Sequence, residues 1–318
     1  MKVSVYMLTY NHEKFIVQAI ESVLMQQVNV EYEFVIGEDC STDNTRDIVI
    51  HYHKKHPNKI RLLLHETNVG AINNDIQVLK ACHGEYIAFL EGDDYWTSPH
   101  KLQNQVDYLD NHPDHSACFH AVTEFYEDGS QQDCITPYPT YRRELFLEDL
   151  LLSTTITPCS IMFRQSILSK SFLDLYSTSV IGDWEFFIYT AQQGRIGYID
   201  EVMAAYRIHT GGSYTGSNPL KKLKDRIEMF NNLNAYLKFK YNTTYKELIS
   251  QCHHALVIEY IHRNNLSDAR THFKRSVVEC PFNPRISRKD LIKMFVRLYV
   301  PAAYKRMGLK LVQNPHLF

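Results

Sequence analysis

Three carboxylates stand at the end of one short apolar run in this sequence. Glu91, Asp93 and Asp94 follow residues 86–90 (YIAFL), which have the length and composition of a buried strand. Carboxylates at this spacing repel one another and are costly to desolvate unless a cation neutralises them. Oxygen ligands suit a hard ion such as Mg²⁺ or Mn²⁺, which commonly also holds the phosphates of a nucleotide. The alternative is a solvated acidic turn, because Gly-Asp-Asp is also favourable turn chemistry.

The preceding part of the chain alternates between predicted strands and helices. Strands are predicted at residues 2–9, 33–36, 60–64 and 86–90. The helix after the second strand is predicted to begin at Ser41 or Thr42, either of which can cap it. Such βαβα alternation predicts a parallel sheet whose strand ends open onto one edge, where ligands of open α/β sheets bind. The residues expected to gather at that edge are Thr9, Tyr10, Asn11, Asp39, Asn68 and Asp93.

Six ordered motifs make the chain resemble the family 2 glycosyltransferases, which bind nucleotide sugars on a GT-A fold. They are LTYNH at 8–12, EDCSTDNT at 38–45, NVG at 68–70, EGDDYW at 91–96, GDWEF at 182–186 and YRIH at 206–209. Six motifs in order are more specific than any one, and the resemblance ends at about residue 215. It implies an α/β fold with a mostly parallel central sheet, followed by a C-terminal helical region.

The resemblance also implies roles for individual residues. Those expected to hold the nucleotide are Thr9, Tyr10, Asn11, Asp39, Asn68, Gly70 and Asp93, with Asp39 facing the uracil. Asp93 and Glu91 would hold Mn²⁺ or Mg²⁺, with His209 near the diphosphate or on the metal, and Asp183 would be the catalytic base. Further donor or acceptor contacts are expected from Asp94, Trp96, Trp184, Glu185 and Arg207.

Three positions depart from the usual family pattern, one of them the pair Asn73 and Asn74, where many relatives have an Ala-Arg pair. Glu91 stands where an aspartate is general, so its carboxylate is one methylene longer and Asp93 is expected to be the primary metal ligand. Gly182 stands where an acidic residue commonly precedes the base, which removes one negative neighbour from Asp183.

Residue types alone support a base at Asp183. It opens an aromatic-rich helical stretch, whose burial should raise its pKa into the range of a working base. The alternative is a helix N-cap, and one aspartate can do both. A displacement with one base and no covalent intermediate inverts the anomeric centre. Arg207 and His209 alternate along a predicted strand, so both should project from one face and could bind an oxyanion.

Composition limits the class of protein. With 318 residues, 44% of them hydrophobic, the chain can bury a large domain and a smaller one. Its seven cysteines have no CxxC spacing and no secretory signal precedes them, so we expect reduced thiols in a cytoplasmic protein. No stretch approaches the roughly 20 apolar residues that span a bilayer.

Charge divides the chain. Residues 219–318 hold 19 lysines and arginines against 7 acidic residues, a net charge of +12, whereas residues 1–218 carry −14. The division falls at a Gly-rich segment, 211–218, predicted to be a hinged lid. We therefore predict a catalytic domain at 1–218, with a nucleotide-sugar half to about 115 and an acceptor half beyond it. Helices are predicted at 219–240, 243–264, 267–280, 287–299 and 302–313.

The basic helices suggest a surface role. Apolar residues recur at helical spacing between 291 and 312 among lysines and arginines, which is typical of a helix in a membrane interface. The same stripe could pack on the catalytic domain or form a homodimer contact. Nucleic acid is not an expected partner, because the tail has no recognition motif.

These observations predict an inverting, metal-dependent glycosyltransferase. It would move a sugar from a nucleoside diphosphate sugar, a UDP-sugar first, to a glycan or lipid-linked acceptor in bacterial-type surface polysaccharide synthesis. A sugar nucleotidyltransferase is an alternative, but it would want a Gly-rich phosphate loop after the first strand, and residues 9–13 offer none. A catalytically silent scaffold is another; the presence of Asp39, Asp93, Asp183 and His209 argues against it.

Overall fold

The predicted alternation of strands and helices is present in the amino-terminal part of the chain. The structure, a computed structural model, describes residues 1–137, 143–212 and 218–307. The elements up to the acidic turn are β1 (Val3–Thr9), α1 (Ile16–Leu24), β2 (Tyr32–Glu38), α2 (Thr45–Lys55), β3 (Ile60–Leu64), α3 (Ala71–Ala81) and β4 (Tyr86–Glu91). The four strands pair in parallel in the order β3-β2-β1-β4. Their carboxyl ends therefore share one edge, as predicted.

Burial on both faces explains the apolar character of the central strands. Val5 and Tyr6, which face opposite sides of the sheet in β1, are both buried, as are Ile87 and Leu90 of β4. Parallel strands covered by helices on both sides have near-continuous apolar runs of this kind.

The sheet continues with shorter and mixed elements. They are β5 (Tyr95–Trp96), α4 (Lys101–Asn111), β6 (His115–Tyr126), β7 (Cys134–Thr136), β8 (Glu144–Leu145), α5 (Leu147–Leu150), β9 (Met162–Arg164), α6 (Lys170–Tyr176), α7 (Asp183–Ala191) and β10 (Arg195–Ile208). The strand order continues from β4 through β9, β6 and β10 to β5. β6 and β10 are parallel, while β9 and β5 are antiparallel to their neighbours. The predicted mixed α/β fold with a mostly parallel sheet is confirmed.

The last strand brings distant residues to the acidic turn. β10 pairs with β5, and Ala205 lies opposite Tyr95, one residue after Asp94. The carboxyl end of β10 therefore lies beside the turn that follows β4. The strand ends at Ile208, so His209 follows it directly.

One predicted helix start is wrong. Helix α2 begins at Thr45, and Asn44 is its N-cap residue. Ser41 and Thr42 lie outside the helix because both bind the loop after β1: the Asn11 backbone N–H donates to Ser41 Oγ, and the Thr42 backbone N–H donates to Asn11 Oδ1. The Ser41 hydroxyl oxygen thus accepts from Asn11, and the Thr42 hydroxyl also donates to Asn11 Oδ1, so neither hydroxyl caps the helix.

The chain divides into two compact units, Met1–Gly212 and Ser213–Phe318. The second contains α8 (Pro219–Tyr236), α9 (Asn242–His262), α10 (Leu266–Glu279), α11 (Arg288–Tyr299) and α12 (Pro301–Arg306). Its core includes Leu256, Ile258, Phe273, Met294 and Leu298. The predicted C-terminal helical region is confirmed. Within the described residues, no helix combines the length and apolarity that crossing a membrane requires.

Three expectations concern residues outside the described ranges. They are most of the predicted lid (213–217), part (138–142) of the irregular, proline-containing segment 120–158 that is expected to shape the acceptor side, and the end of the predicted last helix (308–313).

Candidate active site

The three predicted carboxylates meet at the end of β4. One oxygen of each of Glu91, Asp93 and Asp94 lies within 4.8 Å of the others. Asp94 is buried, whereas Glu91 and Asp93 are half-buried. The structure therefore forms a compact set of oxygen donors at the sheet edge.

The glycine inside the turn allows this packing. A Cβ atom at Gly92 would lie 2.8 Å from both Thr9 Oγ1 and His12 Nδ1. Any other residue would push the end of β4 away from the loop after β1. Gly92 therefore holds the acidic turn against the loop that carries Thr9 and His12.

Two imidazoles face one of the carboxylates. His209 Nε2 lies 3.0 Å from Asp93 Oδ2, and His12 Nε2 lies 3.7 Å from the same oxygen. The ring of His209 packs edge-on against Phe15 at 4.8 Å between centroids. His209 was expected near this site, and in the structure it is in direct contact with Asp93.

The three carboxyl groups have different pKa values. Burial and the charge of Asp93 raise the pKa of Glu91 and Asp94 well above their usual values. Burial also acts to raise the pKa of Asp93, but the hydrogen bond with His209 and the nearby His12 bring it below its usual value. Asp93 is therefore the member most readily ionised. Such a crowded set of oxygen ligands fits a hard divalent cation, which would stabilise all three carboxylates in the charged form.

Arg207 supports the acidic turn from the end of β10. Its backbone N–H donates to Asp94 Oδ1 at 2.8 Å, and its Nε donates to the Asp93 carbonyl oxygen at 2.8 Å. The other two guanidinium nitrogens donate to Gln18 Oε1 at 2.7 Å and to Glu127. All three nitrogens thus bind protein atoms.

This geometry changes the expected role of Arg207. The guanidinium also lies 4.6 Å from the centroid of Phe15 and 4.8 Å from that of Phe125, and the residue is buried. Arg207 was expected to share an oxyanion contact with His209. In the structure its hydrogen bonds to the Asp93 carbonyl oxygen and the Asp94 carboxylate hold the acidic turn in place. We call this set of contacts the Arg207 brace.

Asp39 connects three strand ends. Its carboxylate accepts hydrogen bonds from the backbone N–H groups of Val69 at 2.7 Å and Gly70 at 3.0 Å. Asn68 Nδ2 donates to the Asp39 carbonyl oxygen at 3.1 Å, and the Asp39 backbone N–H donates to the Thr9 carbonyl oxygen. The predicted nucleoside residues Thr9, Asp39, Asn68 and Gly70 are therefore brought together.

Tyr10 and Asn11 occupy the loop between β1 and α1. Tyr10 is exposed, so its ring is open to a ligand. Asn11 has a positive φ of 57° and bonds to Ser41 and Thr42. Asn11 therefore shapes the loop that presents Tyr10.

Asp183 is the first residue of α7. Its Oδ1 accepts a hydrogen bond from the Trp184 backbone N–H at 2.7 Å. Burial raises its pKa from 3.8 to about 6. Its charge in turn contributes to the raised pKa of Glu91, so the predicted base lies near the acidic turn.

The backbone conformation of Gly182, the residue before Asp183, explains why a glycine stands where the family commonly has an acidic residue. Gly182 has φ +92°, a backbone conformation that L side chains rarely adopt. An acidic residue here would be strained. In this chain the position serves the backbone turn into α7.

Three residues expected to contact donor or acceptor are buried in the core instead. Glu185 is fully buried, and its Oε2 accepts hydrogen bonds from the backbone N–H groups of residues 180, 181 and 182. Trp184 Nε1 donates to the Leu150 carbonyl oxygen, and Trp96 Nε1 donates to that of Cys159. Glu185 therefore stabilises the turn before α7, and the two tryptophans pack in the core of the domain.

One buried acid was missed by the sequence analysis. Asp75 of α3 accepts a hydrogen bond from the Tyr176 hydroxyl at 2.7 Å, and burial raises its pKa from 3.8 to about 7. The charge of Asp183 also contributes to this shift, so Asp75 lies near the predicted base. A single aspartate within an amphipathic helix carries no sequence signal of such a contact.

Comparisons of sequence agree with this geometry. A family model, Glycosyl transferase family 2, matches residues 4–172. An uncharacterised protein of Mycobacterium tuberculosis is 37% identical over 209 residues, so this chain matches 59% of that relative's length and 66% of its own. TarS of Staphylococcus aureus, a poly(ribitol-phosphate) beta-N-acetylglucosaminyltransferase, is 38% identical over 114 residues, which are 35% of this chain and 19% of TarS.

Comparisons of structure identify the fold. The crystal structure of TarS 1-349 with UDP-GlcNAc covers 94% of this chain and 79% of its own, with a TM-score of 0.60 and 19% identity. The mannosyltransferase PcManGT from Pyrobaculum calidifontis, in complex with GDP-Man and Mn²⁺, has a TM-score of 0.54 and 15% identity, covering 96% and 82%. The predicted GT-A fold is confirmed. Since the family model matches more than half of its residues, the chain belongs to family 2 of the glycosyltransferases.

Proposed function

We propose that the chain is an inverting, divalent-metal-dependent glycosyltransferase that uses a nucleoside diphosphate sugar, with UDP as the first candidate nucleotide. The observation that carries the proposal is the proximity of two kinds of carboxylate. Asp183 has a pKa raised to about 6, and it lies close enough to the acidic turn to raise the pKa of Glu91. A cation site and a base at one sheet edge are the two parts that sugar transfer requires.

The acidic turn is the proposed metal site. Asp93 would be the primary ligand because its pKa is held low, with Glu91 and Asp94 completing the oxygen set. A bound Mn²⁺ or Mg²⁺ would supply charge neutralisation for the departing diphosphate. His209 would lie next to that charge through its contact with Asp93.

Asp183 is the proposed catalytic base. Its ionised carboxylate takes the proton of the acceptor hydroxyl while that oxygen forms a bond to the anomeric carbon. The bond between the anomeric carbon and the diphosphate oxygen breaks, and the nucleoside diphosphate leaves with the electron pair. A single displacement inverts the anomeric centre. General-base assistance of this kind contributes about 10²–10⁴-fold to the rate.

The loops after β1 and β2 are the proposed nucleoside site. Tyr10 offers an exposed ring for the base, and Asp39 is fixed by the amides that precede α3. A carboxylate oxygen can accept more than one hydrogen bond, so Asp39 can also accept one from the N–H group of uracil. The TarS complex with UDP-GlcNAc supports a UDP-sugar as the donor.

The acceptor is proposed to be a glycan or a lipid-linked glycan of surface polysaccharide synthesis. The likeness to TarS, named as a poly(ribitol-phosphate) beta-N-acetylglucosaminyltransferase, supports this pathway. The net charge of +12 in residues 219–318 supports a place at the inner face of the cell membrane.

A donor screen tests the proposal. The chain is incubated with UDP- and GDP-sugars, with Mn²⁺ or with a chelator, and release of the free nucleoside diphosphate is measured. We expect slow hydrolysis of one donor that depends on the metal and is lost in Asp93→Asn. Asp128→Asn, an exposed aspartate in the turn after β6, is the matched control and should retain activity. Equal rates with metal and with chelator would refute the metal dependence, and absence of both donor binding and hydrolysis would refute the function.

A further inference from the structure

Apolar side chains are exposed on the last helices of the described chain. Phe282, in the connection between α10 and α11, exposes 86% of its surface, and Ile292 exposes 64%. Val277, Phe295 and Tyr299 are also exposed. We call these five residues the exposed apolar face. Scattered apolar residues are common on surfaces, but a contiguous group marks an interaction site.

Three of the five form one stripe along α11. Ile292, Phe295 and Tyr299 are spaced at i, i+3 and i+7, which places them on the same side of the helix. Met294 and Leu298, on another side of the helix, are buried in the core of this unit. Helix α11 therefore has two apolar faces, of which one packs inward and the other does not.

Contacts with α10 extend the stripe into a patch. The ring of Phe273 lies 6.3 Å from that of Phe295 and 6.1 Å from that of Tyr299. Val277 follows Phe273 by one helical turn and so lies on the same side of α10. The exposed apolar face therefore includes residues of α10 and α11, and Phe282 lies in the connection that joins these two helices.

Positive charge borders this patch. Arg288 and Lys289 are exposed at the start of α11, and they form no ion pair with a described residue. Arg288 precedes Ile292 by four positions, so it extends the stripe itself. Lys274 of α10 is exposed and directly follows Phe273 in the chain. Exposed apolar and aromatic groups among lysines and arginines match the interface of an anionic lipid bilayer.

We propose that the exposed apolar face docks on an anionic lipid surface, with Phe282 and Ile292 entering the interface and Arg288 and Lys289 binding lipid phosphates. Docking would give the enzyme access to a lipid-linked acceptor, and in this respect the inference rests on the proposed function. The docking itself is argued from the exposed residues alone. The charge of the region distinguishes a lipid surface from a second copy of the chain, because two copies of a face bordered by cations would repel each other.

Vesicle flotation with the full chain tests the docking. Vesicles of equal parts phosphatidylglycerol and phosphatidylcholine are compared with vesicles of phosphatidylcholine alone. We expect the chain to float with the anionic vesicles and to remain in solution with the neutral ones. The double variant Phe282→Ser, Ile292→Ser should lose flotation. Both residues are exposed, so their replacement leaves the packed core of the unit intact.

Matched controls distinguish binding through the exposed apolar face from nonspecific binding of the chain to vesicles. Phe239→Ser removes another exposed phenylalanine of the same unit, between α8 and α9, and should float like the original chain. Arg288→Gln with Lys289→Gln should weaken binding by about fivefold per charge. Lys238→Gln with Lys240→Gln changes two exposed lysines elsewhere and should have a smaller effect.

Metal-dependent hydrolysis of the donor in solution is measured on every variant. We expect it to be unchanged, because no substituted residue belongs to the acidic turn or to α7. Flotation of the Phe282→Ser, Ile292→Ser variant like the original chain would overturn the inference, as would equal flotation with neutral vesicles. A concentration-dependent dimer that this variant abolishes would also overturn it, in favour of a second copy. Docking without any hydrolysis would instead count against the proposed function alone.

Discussion

Two aspartates at the same sheet edge have opposite pKa shifts. Asp93 is held below its usual pKa by His209 and His12 against the effect of burial, whereas burial raises the pKa of Asp183 to about 6. An ionised group suits a metal ligand, and a group that exchanges protons near neutral pH suits a base. The surroundings of each carboxylate therefore support the role that we propose for it.

The raised pKa of Asp183 predicts the pH dependence of transfer. The base acts when it is ionised, so kcat/KM should be constant above about pH 7 and fall about tenfold per pH unit below about pH 6. Asp183→Asn should abolish transfer and leave UDP affinity nearly unchanged. Initial rates across pH, together with calorimetry of UDP binding, measure both. A substantial residual rate in this variant would assign the proton transfer to another group.

The acidic turn predicts unequal effects of two substitutions. Asp93→Asn removes the most readily ionised carboxylate and should weaken Mn²⁺-dependent UDP binding at least about tenfold. Substitutions around metal sites typically reduce metal affinity by about 10–100-fold. Glu91→Gln should do less, because the carboxylate of Glu91 is one methylene longer and its contact with the metal is expected to be less direct. Titration calorimetry with and without Mn²⁺ compares them. Equal binding by Asp93→Asn and the original chain would remove the metal from this turn.

The positions of individual site residues could be predicted from the sequence where a motif lies at the end of a strand or at the start of a helix. The positions of Asp93, Asp183 and His209 near one another could be predicted because their neighbours form ordered motifs at strand and helix ends. Trp96 and Glu185 belong to the same motifs but face the core, since direction depends on tertiary partners such as the Cys159 carbonyl oxygen. Sequence spacing alone does not determine that direction.

At the scale of elements, the turn into α7 depends on one glycine. Gly182→Ala should destabilise the chain by about 1–3 kcal/mol, because alanine is strained at positive φ, and should also reduce transfer by moving Asp183. Gly129→Ala is the matched control: Gly129 also has positive φ, +66°, in an exposed turn with open space around its Cβ position. It should destabilise to a similar degree without a change in kcat. Urea unfolding and kinetics measure the two effects, and equal kcat losses would contradict the local role of Gly182.

Helices α3 and α6 are joined by the hydrogen bond between Tyr176 and Asp75, which predicts a pH-dependent stability. Burial raises the pKa of Asp75 from 3.8 to about 7, so the folded chain binds a proton below pH 7 that the unfolded chain does not bind until about pH 4. This group therefore adds stability as the pH falls, by about 3 kcal/mol between pH 8 and pH 5.

The variant Asp75→Asn lacks this titration and can still accept the hydrogen bond from Tyr176. Its melting temperature should exceed that of the original chain at about pH 8, and the difference should shrink towards about pH 5. Thermal unfolding at several pH values measures it. A difference that does not depend on pH would show that Asp75 is ionised in the folded chain.

The elements themselves were largely predictable from hydrophobic period. β1 to β4 and their helices follow from runs such as residues 86–90 between turn residues. The start of α2 could not be predicted in the same way, because Ser41 and Thr42 bind Asn11 instead of capping the helix. Local capping rules do not contain a partner that is about 30 residues away.

At the scale of the whole molecule, the proposed donor site lies entirely within Met1–Gly212. UDP with Mn²⁺ should therefore slow hydrogen exchange in peptides around residues 8–12, 38–41 and 91–94, because a bound ligand stabilises the segments that contact it. Peptides from 219–307 should exchange at an unchanged rate. Mass spectrometry of exchange measures both, with UDP and a chelator as the control. Slowing within 219–307 would show that the donor also stabilises the helical unit.

The Arg207 brace has a consequence for the order in which a growing chain acquires its site. The acidic turn is synthesised more than 100 residues before Arg207 and His209, which are contributed by the end of the last strand. Until that strand has inserted between β6 and β5, Asp93 and Asp94 lack both the guanidinium and the imidazole that hold them. Contacts between residues so far apart in the chain form late in folding. The first four strands can therefore pair before the acidic turn has the contacts that hold Asp93 and Asp94 in the completed sheet.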